Sequence, residues 1–329
     1  PDERRYQRWL GLASHEFFHT WNGRRLRPKT HVRYDYENEV YTESMWIAEG
    51  ITSYYQDLAL VRAGLITENE YLSRLSGDVE GVQRTLGRKK QSLSSSSYDA
   101  WIKYYRPDEN SSNTRISYYS KGAVAAFLLD VKIRKLTQGE KSLDDVMQTM
   151  FKKYTESGYT PDEFRQTASE VAGEDLSQWF EQAIDSTDEL DFSELETVGV
   201  AVPGPAKSKE KSENDDDDTD KKDADETKKT KGNPWVGISA GGDSKVTVSR
   251  VVPASPGYEA GVNNGDEIIA INDFRVSGSI DSRLRQFEVG DELDFLIARR
   301  GKLLRLKVTI GSRETESWKL RFVSKPTDE

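Results

Sequence analysis

The feature that most restricts this chain is a charged run about two thirds of the way along it. "KSKEKSENDDDDTDKKDADETKKTK", Lys207 to Lys231, holds ten acids and eight lysines and no apolar side chain larger than alanine. Such a segment buries too little apolar surface to offset the entropy of ordering, so it is predicted to be disordered. Its four consecutive aspartates lack the spaced ligands and the glycine of a calcium loop, which favours a solvated polyampholyte. A chain interrupted in this way does not build one continuous core. The shift in composition at Pro203 therefore separates two modules.

Before that shift the pattern is helical. Trp9 to Trp21 reads as a helix closed by Asn22-Gly23, and a second runs from near Thr42 to Gly64. Thr67 with Glu70 forms a capping box that opens a third. "ISYYSKGAVAAFLLDVKIRKLTQG" gives a long helix ending at Gly139, and Ser142 with Asp145 and Thr160-Pro161 with Glu163 start two more. The Ser-rich stretch from about Ser92 to Asn113 reads as a surface excursion. From Trp235 onward the period changes to two. "SKVTVSRVV" alternates, "GDEIIAIND" is a turn followed by a strand, and "ELDFLIARRGKLLRLKVTI" is a hairpin about Arg300-Gly301. Its Leu304, Leu306, Val308 and Ile310 share one face. The fold class expected is α+β.

Charge narrows the partners. At a net −10 the chain lacks the basic face that a nucleic-acid backbone requires. No stretch approaches the roughly 18 apolar residues of a membrane span. With no cysteine, disulfides and thiolate metal sites are excluded. The chain opens on Pro1 without a charged-then-apolar leader, so a cytoplasmic or periplasmic location is left open.

Chemistry concentrates near the start. The chain has three histidines, and two of them stand four apart in "ASHEFFHTWNGRR". On a helix His15 and His19 present their imidazoles on one face, and Glu16 lies close enough to reach a metal-bound water without being a ligand. This is the H-E-x-x-H arrangement of zinc peptidases. The plainer reading is two histidines on a polar helix face. A catalytic zinc site usually takes a third protein ligand and keeps one position open. His31 is one candidate, in a loop with no helical register to the pair. Glu49, in "WIAEGITSYY", is the better one, because its apolar flanks make an unpaired carboxylate there costly.

"HEFFHTWN…RRLRP" followed by "YTESMWIAEGITSYY" closely resembles the PDZ-bearing glycyl aminopeptidases, a gluzincin group related to thermolysin and aminopeptidase N. The resemblance implies one Zn²⁺ held by His15, His19 and Glu49, with Glu16 as the base that activates water. It also maps an oxyanion-stabilising tyrosine onto Tyr119 of "YSKG", with Tyr118 out of register. The expected substrates are peptides with a small N-terminal residue such as Gly or Ala. "NPWVGI", "SPGYEAGVNNGDEIIAIND" and the closing hairpin resemble a PDZ domain of the bacterial type. There the backbone N–H groups of Val236, Gly237 and Ile238 would receive a peptide C-terminus by strand addition.

The implied organisation is a mostly helical zinc peptidase domain over 1–195, the helical half of a thermolysin-like zincin domain. A PDZ-like domain over 196–312 follows, then a tail over 313–329. "ETVGVAV" supplies the first PDZ strand, and the charged run forms an insertion at about 204–233. Only fourteen residues precede His15, where the resemblance calls for a mixed β-sheet and an element that handles the substrate's amino end. The chain is thus expected to hold the metal ligands but only part of the substrate cleft, and a PDZ scaffold with an inactive peptidase domain is the competing reading. The intramembrane site-2 proteases also combine H-E-x-x-H with PDZ, but Arg24, Arg25 and Arg27 beside the motif would be buried in lipid at prohibitive cost.

Overall fold

A computed structural model describes residues 3–201, 233–312 and 318–323. The charged run expected at about 204–233 lies, but for Asn233, outside the described residues. The chain divides into two compact units, Pro1–Gly204 with Ser317–Glu329, and Pro205–Glu316.

The first unit is helical. Its elements are α1 (Glu3–Phe18), a π-helical turn at Trp46–Gly50, α2 (Ile51–Arg62), α3 (Glu68–Arg84), α4 (Leu93–Tyr98), a second π-helical turn at Ala100–Tyr104, α5 (Ser111–Thr114), α6 (Ser120–Leu136), α7 (Leu143–Tyr154), α8 (Pro161–Ala172) and α9 (Ser177–Phe180). Three starts follow from capping chemistry. Thr67, Ser142 and Thr160 each accept from the backbone of their first turn, and Glu70, Asp145 and Glu163 return the bond to the cap. The centre is α6, with Val124, Ala125, Ala126, Leu129 and Ile133 excluded from solvent and α2, α3, α7 and α8 packed around it. It stops where Gln138 and Gly139 take positive φ. Because α6 is apolar on nearly all sides, it is a core helix rather than an amphipathic surface one.

Three expectations need correcting. The surface excursion expected over residues 92–113 is confined to its middle: residues 101–110 are exposed but for the partly buried Tyr104, whereas α4 and its surroundings bury Leu93, Ser96, Ser97 and Ala100, and α5 buries Ser111. Serine hydroxyls satisfy backbone groups there, Ser96 donating to the Ile116 carbonyl at 2.5 Å and Ser94 to that of Ile184 at 3.3 Å. Second, the strand in "ETVGVAV" is β1 (Val200–Ala201). It pairs antiparallel with Arg321–Phe322 and belongs to the helical unit, not to the β-rich one. Third, residues 318–323 are not a free tail. Leu320 is buried and its N–H donates to the Ser76 hydroxyl of α3 at 2.9 Å.

The second unit contains β2 (Pro234–Trp235), β3 (Ile238–Gly241), β4 (Val246–Val251), α10 (Pro256–Glu259), β5 (Glu267–Ile271), β6 (Phe274–Arg275), α11 (Asp281–Leu284), β7 (Glu292–Arg299), β8 (Lys302–Thr309) and β9 (Gly311–Ser312). The main sheet runs in the order β3-β4-β5-β7-β8, with β6 on β5, and β2 pairs with β9. The last of the chain's strands, Arg321–Phe322, is β10. The β7–β8 hairpin turns at Arg300 and Gly301, both at positive φ, as a two-residue connection of this hand requires. Alternation buries Leu293, Phe295 and Ile297 against Val246, Ile268 and Ile280. The molecule is thus α+β.

Candidate metal centre

α1 packs on α2, and the turn that precedes α2 carries Glu49. His15 is 9% exposed, and His19 and Glu49 are partly buried. The Nε2 atoms of His15 and His19 lie 3.1 Å apart, and Glu49 Oε2 lies 3.3 Å from the first and 3.1 Å from the second. Among the described residues this is the one cluster of three or more His, Asp or Glu side chains that converges on a point. The bonds behind the rings determine what the front presents. His19 Nδ1–H donates to the Asn22 carbonyl at 2.8 Å, and His15 Nδ1 meets Gln56 Oε1 at 3.1 Å. With Nδ1 protonated on both rings, two imidazole lone pairs and a carboxylate oxygen face one another, an arrangement of acceptors that calls for a cation.

The donor set fits zinc. Tetrahedral coordination at about 2.0–2.1 Å separates neighbouring donors by about 3.3 Å, close to the spacings found here. Charge agrees with this. When protons rather than a cation hold these groups together, burial works against ionising Glu49, but the hydrogen bonds from His15 and His19 outweigh it and bring its pKa down to about 2. The same bond to Glu49 raises His19 against its own burial, assisted by the Asn22 carbonyl and by the charges of Glu49 and Glu16.

The elements are tied together by residues that the motif does not advertise. The fully buried Asn22 amide donates to the Ile47 and Ala48 carbonyls at 2.8 and 3.2 Å and to the Thr52 hydroxyl at 3.1 Å. It therefore fixes the loop behind His19 to the turn that carries Glu49. Gly50 and Gly122 meet backbone to backbone. A Cβ on Gly50 would fall 2.6 Å from Gly122 Cα and 2.8 Å from the Tyr118 carbonyl oxygen. That approach brings the start of α6, and with it Tyr119, next to the cluster.

Of the other predicted residues, Glu16 is exposed on α1, outside the three-donor cluster. The Tyr119 ring lies 6.3 Å from that of His15, centroid to centroid. Its hydroxyl is held in the neutral form by burial and by the Glu49 charge. His31 is not among the converging residues. It ends a short 3₁₀ turn, with Nδ1 on the Thr30 hydroxyl at 3.1 Å. A cavity of about 740 Å³ lined by Phe18, Trp21, Leu26, Tyr55, Met147 and Phe151 includes none of the cluster residues and so is not part of this centre. In the β-rich unit, Val236 and Gly237 form the bend between β2 and β3, and Ile238 begins β3. Gly237 has φ +72, and a Cβ there would strike the Ser255 side chain at 2.0 Å. Gln56 and Asn22 escaped the sequence reading because an amide that orients an imidazole leaves no fixed spacing; Gln56 is two turns beyond Glu49.

Residues 8–125 match the family model of the M61 glycyl aminopeptidases, and residues 226–293 that of the PDZ domain. The crystal structure of an aminopeptidase N family protein from Idiomarina loihiensis is similar over 98% of this chain and 54% of that one, at 30% identity and a TM-score of 0.83. The chain thus spans about half the length of that relative. The HtrA-type protease AlgW with a decapeptide overlaps 25% of this chain and 30% of its own, at 19% identity and a TM-score of 0.23. A serine endoprotease from Yersinia pestis overlaps 23% of this chain and 29% of its own, at 25% identity and a TM-score of 0.19. No curated protein matches the chain. The chain thus joins a helical part that matches the M61 glycyl aminopeptidases, a family of peptidases, to a β-rich part that matches the PDZ domain.

Proposed function

We propose that the helical unit is the zinc-binding part of an aminopeptidase that releases small N-terminal residues, Gly or Ala, from peptides. The observation that carries this reading is the meeting of His15 Nε2, His19 Nε2 and Glu49 Oε2 within 3.3 Å of one another. Zn²⁺ held there supplies a Lewis acid, which polarises a scissile carbonyl and brings the pKa of water to about 7. Glu16, one residue along the helix from His15, takes the proton of the attacking water and delivers it to the leaving amine. Tyr119 donates its hydroxyl proton as a hydrogen bond to the oxygen on which charge develops, which requires the phenol to stay protonated; burial and Glu49 both favour that form. Gln56 and the Asn22 carbonyl hold the imidazoles in the tautomer that frees Nε2.

The PDZ unit is proposed to bind a peptide C-terminus. Strand β3 is an edge of the main sheet and follows directly from Val236 and Gly237. An added peptide strand would pair along β3 and place its carboxylate at the N–H groups of Val236, Gly237 and Ile238. No helix of the described residues is long and apolar enough to cross a membrane.

The test is metal content and turnover together. Dialysis against a chelator should remove one zinc per chain and abolish cleavage of glycyl and alanyl amides, and zinc add-back should restore both. A chain that takes up one zinc without cleaving any peptide would instead favour a PDZ scaffold with a stranded metal centre, a reading that the 54% coverage of its relative keeps in play.

A further inference from the structure

The segment from Leu93 to Tyr105 is turned inside out relative to an ordinary amphipathic helix. α4 and the π-turn after it bury Leu93, Ser94, Ser96, Ser97 and Ala100. Tyr98, Trp101, Ile102 and Tyr105 recur at i, i+3, i+4 and i+7, the spacing of one helical stripe, yet each is between 45% and 56% exposed. Packing alone selects the reverse, rings inside and hydroxyls outside, so an apolar strip kept in solvent points to a binding surface. The strip is held in place. Arg115 donates to the Lys103 and Tyr104 carbonyls at 3.2 and 2.7 Å, its guanidinium covers the Tyr104 ring, and the Tyr118 hydroxyl donates to that of Tyr105 at 3.4 Å. It also leads to the metal centre. From Trp101 the ring contacts run to Tyr105 at 5.9 Å, to Tyr104 at 5.4 Å, to Tyr119 at 5.8 Å and to His15 at 6.3 Å.

We propose that this strip receives the substrate on the leaving-group side of the scissile bond, and that Trp101 and Tyr105 select peptides with aromatic or large apolar side chains a few residues from the amino end. The inference rests on the aminopeptidase reading given above. That reading leaves a single residue on the amino side of the cut, so a surface running several residues away from the metal has only the leaving part of the peptide to receive. The length agrees. An extended peptide advances about 3.3 Å per residue, so about five residues cover the three ring contacts between His15 and Tyr105. The chemistry agrees as well. Exposed rings gain most from other rings, stacked with an offset or edge to face, and from apolar side chains that cover them. Lys103, paired with Asp99, and the exposed Arg106 flank the strip, which disfavours lysine or arginine at these substrate positions.

The test measures affinity and turnover on the zinc-loaded full-length chain. Binding of Gly-Phe-Phe-Phe amide and of Gly-Ser-Ser-Ser amide is followed by calorimetry in a Glu16→Gln background, where a peptide is held without being cut. Both peptides are amides, so neither offers the PDZ unit a free carboxylate. The phenylalanine peptide should bind about tenfold more tightly, and Trp101→Ser and Tyr105→Ser should each reduce that preference several-fold. Leu65→Ser, which changes an equally exposed apolar residue beyond the end of α2, should leave it intact. In a chain that retains Glu16 the same preference should appear in KM rather than in kcat. Equal affinities for the two peptides would overturn the inference, as would a preference that survives both substitutions. A dimer seen by sedimentation and lost in Trp101→Ser, with peptide affinities unchanged, would overturn it by assigning the strip to a second copy. A wild-type chain that cleaves no glycyl peptide, while Trp101 and Tyr105 still determine the affinity, would overturn the aminopeptidase reading and support the strip as a peptide surface, so the two failures differ.

Discussion

Glu16 and Glu49 are both carboxylates beside the same two imidazoles, and their surroundings assign them different work. Glu49 is partly buried, lies against both rings and is kept ionised by them, its pKa brought down to about 2, which suits a permanent ligand. Glu16 is exposed and free of the cluster, as a group that must gain and lose a proton has to be. Glu16→Gln is therefore expected to retain one zinc per chain while lowering kcat by about 10²- to 10⁴-fold; metal analysis and turnover of a glycyl amide check this. Elsewhere in the unit, Asp78 on α3 is pushed up to about 6 by burial and then by the charge of Asp57. Between roughly pH 4 and 6 the folded chain keeps a proton that the unfolded chain has lost, so this group's contribution to stability falls as pH rises across that window. Asp78→Asn should raise stability at pH 7.5 by about 1–2 kcal/mol and leave it unchanged at pH 4, read by urea titration at the two pH values. At this scale His15 and His19 were legible as candidate donors because helical geometry forces positions i and i+4 onto one face, and Glu49 because its apolar flanks make an unpaired carboxylate costly. Gln56 and Asn22 were not, because each makes its contact only after the turns have packed.

Between elements, the decisive contact is the one made by two glycines. Gly50 closes the π-turn that carries Glu49, Gly122 lies in the first turn of α6 after Tyr119, and their backbones touch. Alanine at Gly50 would gain about 1 kcal/mol of helix propensity, but its methyl would sit 2.6 Å from Gly122 Cα, where there is only backbone to give way. Overpacking of that kind costs about 1–3 kcal/mol, so the clash outweighs the gain. Gly50→Ala should lower the melting temperature and weaken zinc binding, because Glu49 moves with the turn. The same change at Gly81 on α3, where nothing lies within 4 Å, should stabilise by about 0.5–1 kcal/mol with zinc affinity unchanged. Thermal melts and zinc titrations of the two variants distinguish them. Elements whose ends are written in local chemistry, such as the capping boxes at Thr67, Ser142 and Thr160, could be read directly from the chain. The serines of α4, Leu93–Tyr98, could not. Polar composition suggests solvent, yet Ser97 accepts from the Trp46 N–H at 3.0 Å and donates to the Leu93 carbonyl at 3.1 Å inside the core, so its hydroxyl is satisfied without water.

For the whole molecule, the change of period from 3.6 to 2 across the charged run was enough to separate a helical from a β-rich part, but not to find where the helical part ends. That depends on a pairing between Val200–Ala201 and Arg321–Phe322, more than a hundred residues apart, and no local pattern encodes such a partner. The pairing means that the β-rich unit is inserted into the helical one, with the chain leaving and returning at neighbouring strands. The return is anchored: Leu320 is buried against the helical core, Trp318 packs on the same core, and the Val323 N–H donates to the Gly199 carbonyl at 2.9 Å. Strands paired in this way lie about 5 Å apart, so a short link can replace everything between them. Deleting 205–316 and joining the ends through a few Gly-Ser residues should leave the helical unit folded, with one zinc per chain and a melting temperature within a few degrees of the parent. Loop length enters stability only logarithmically, about 0.6 kcal/mol per doubling, so replacing a long insertion by a short loop costs little. Truncation at residue 204 without residues 317–329 removes the same β-rich unit but also β10 and the Leu320 anchor. Losing that buried leucine alone is worth about 2–5 kcal/mol, so the simple truncation should unfold at a clearly lower temperature than the closed deletion. Equal melting temperatures for the two would mean that the returning strand holds nothing, and the helical unit would then end near residue 195 as the sequence alone suggested.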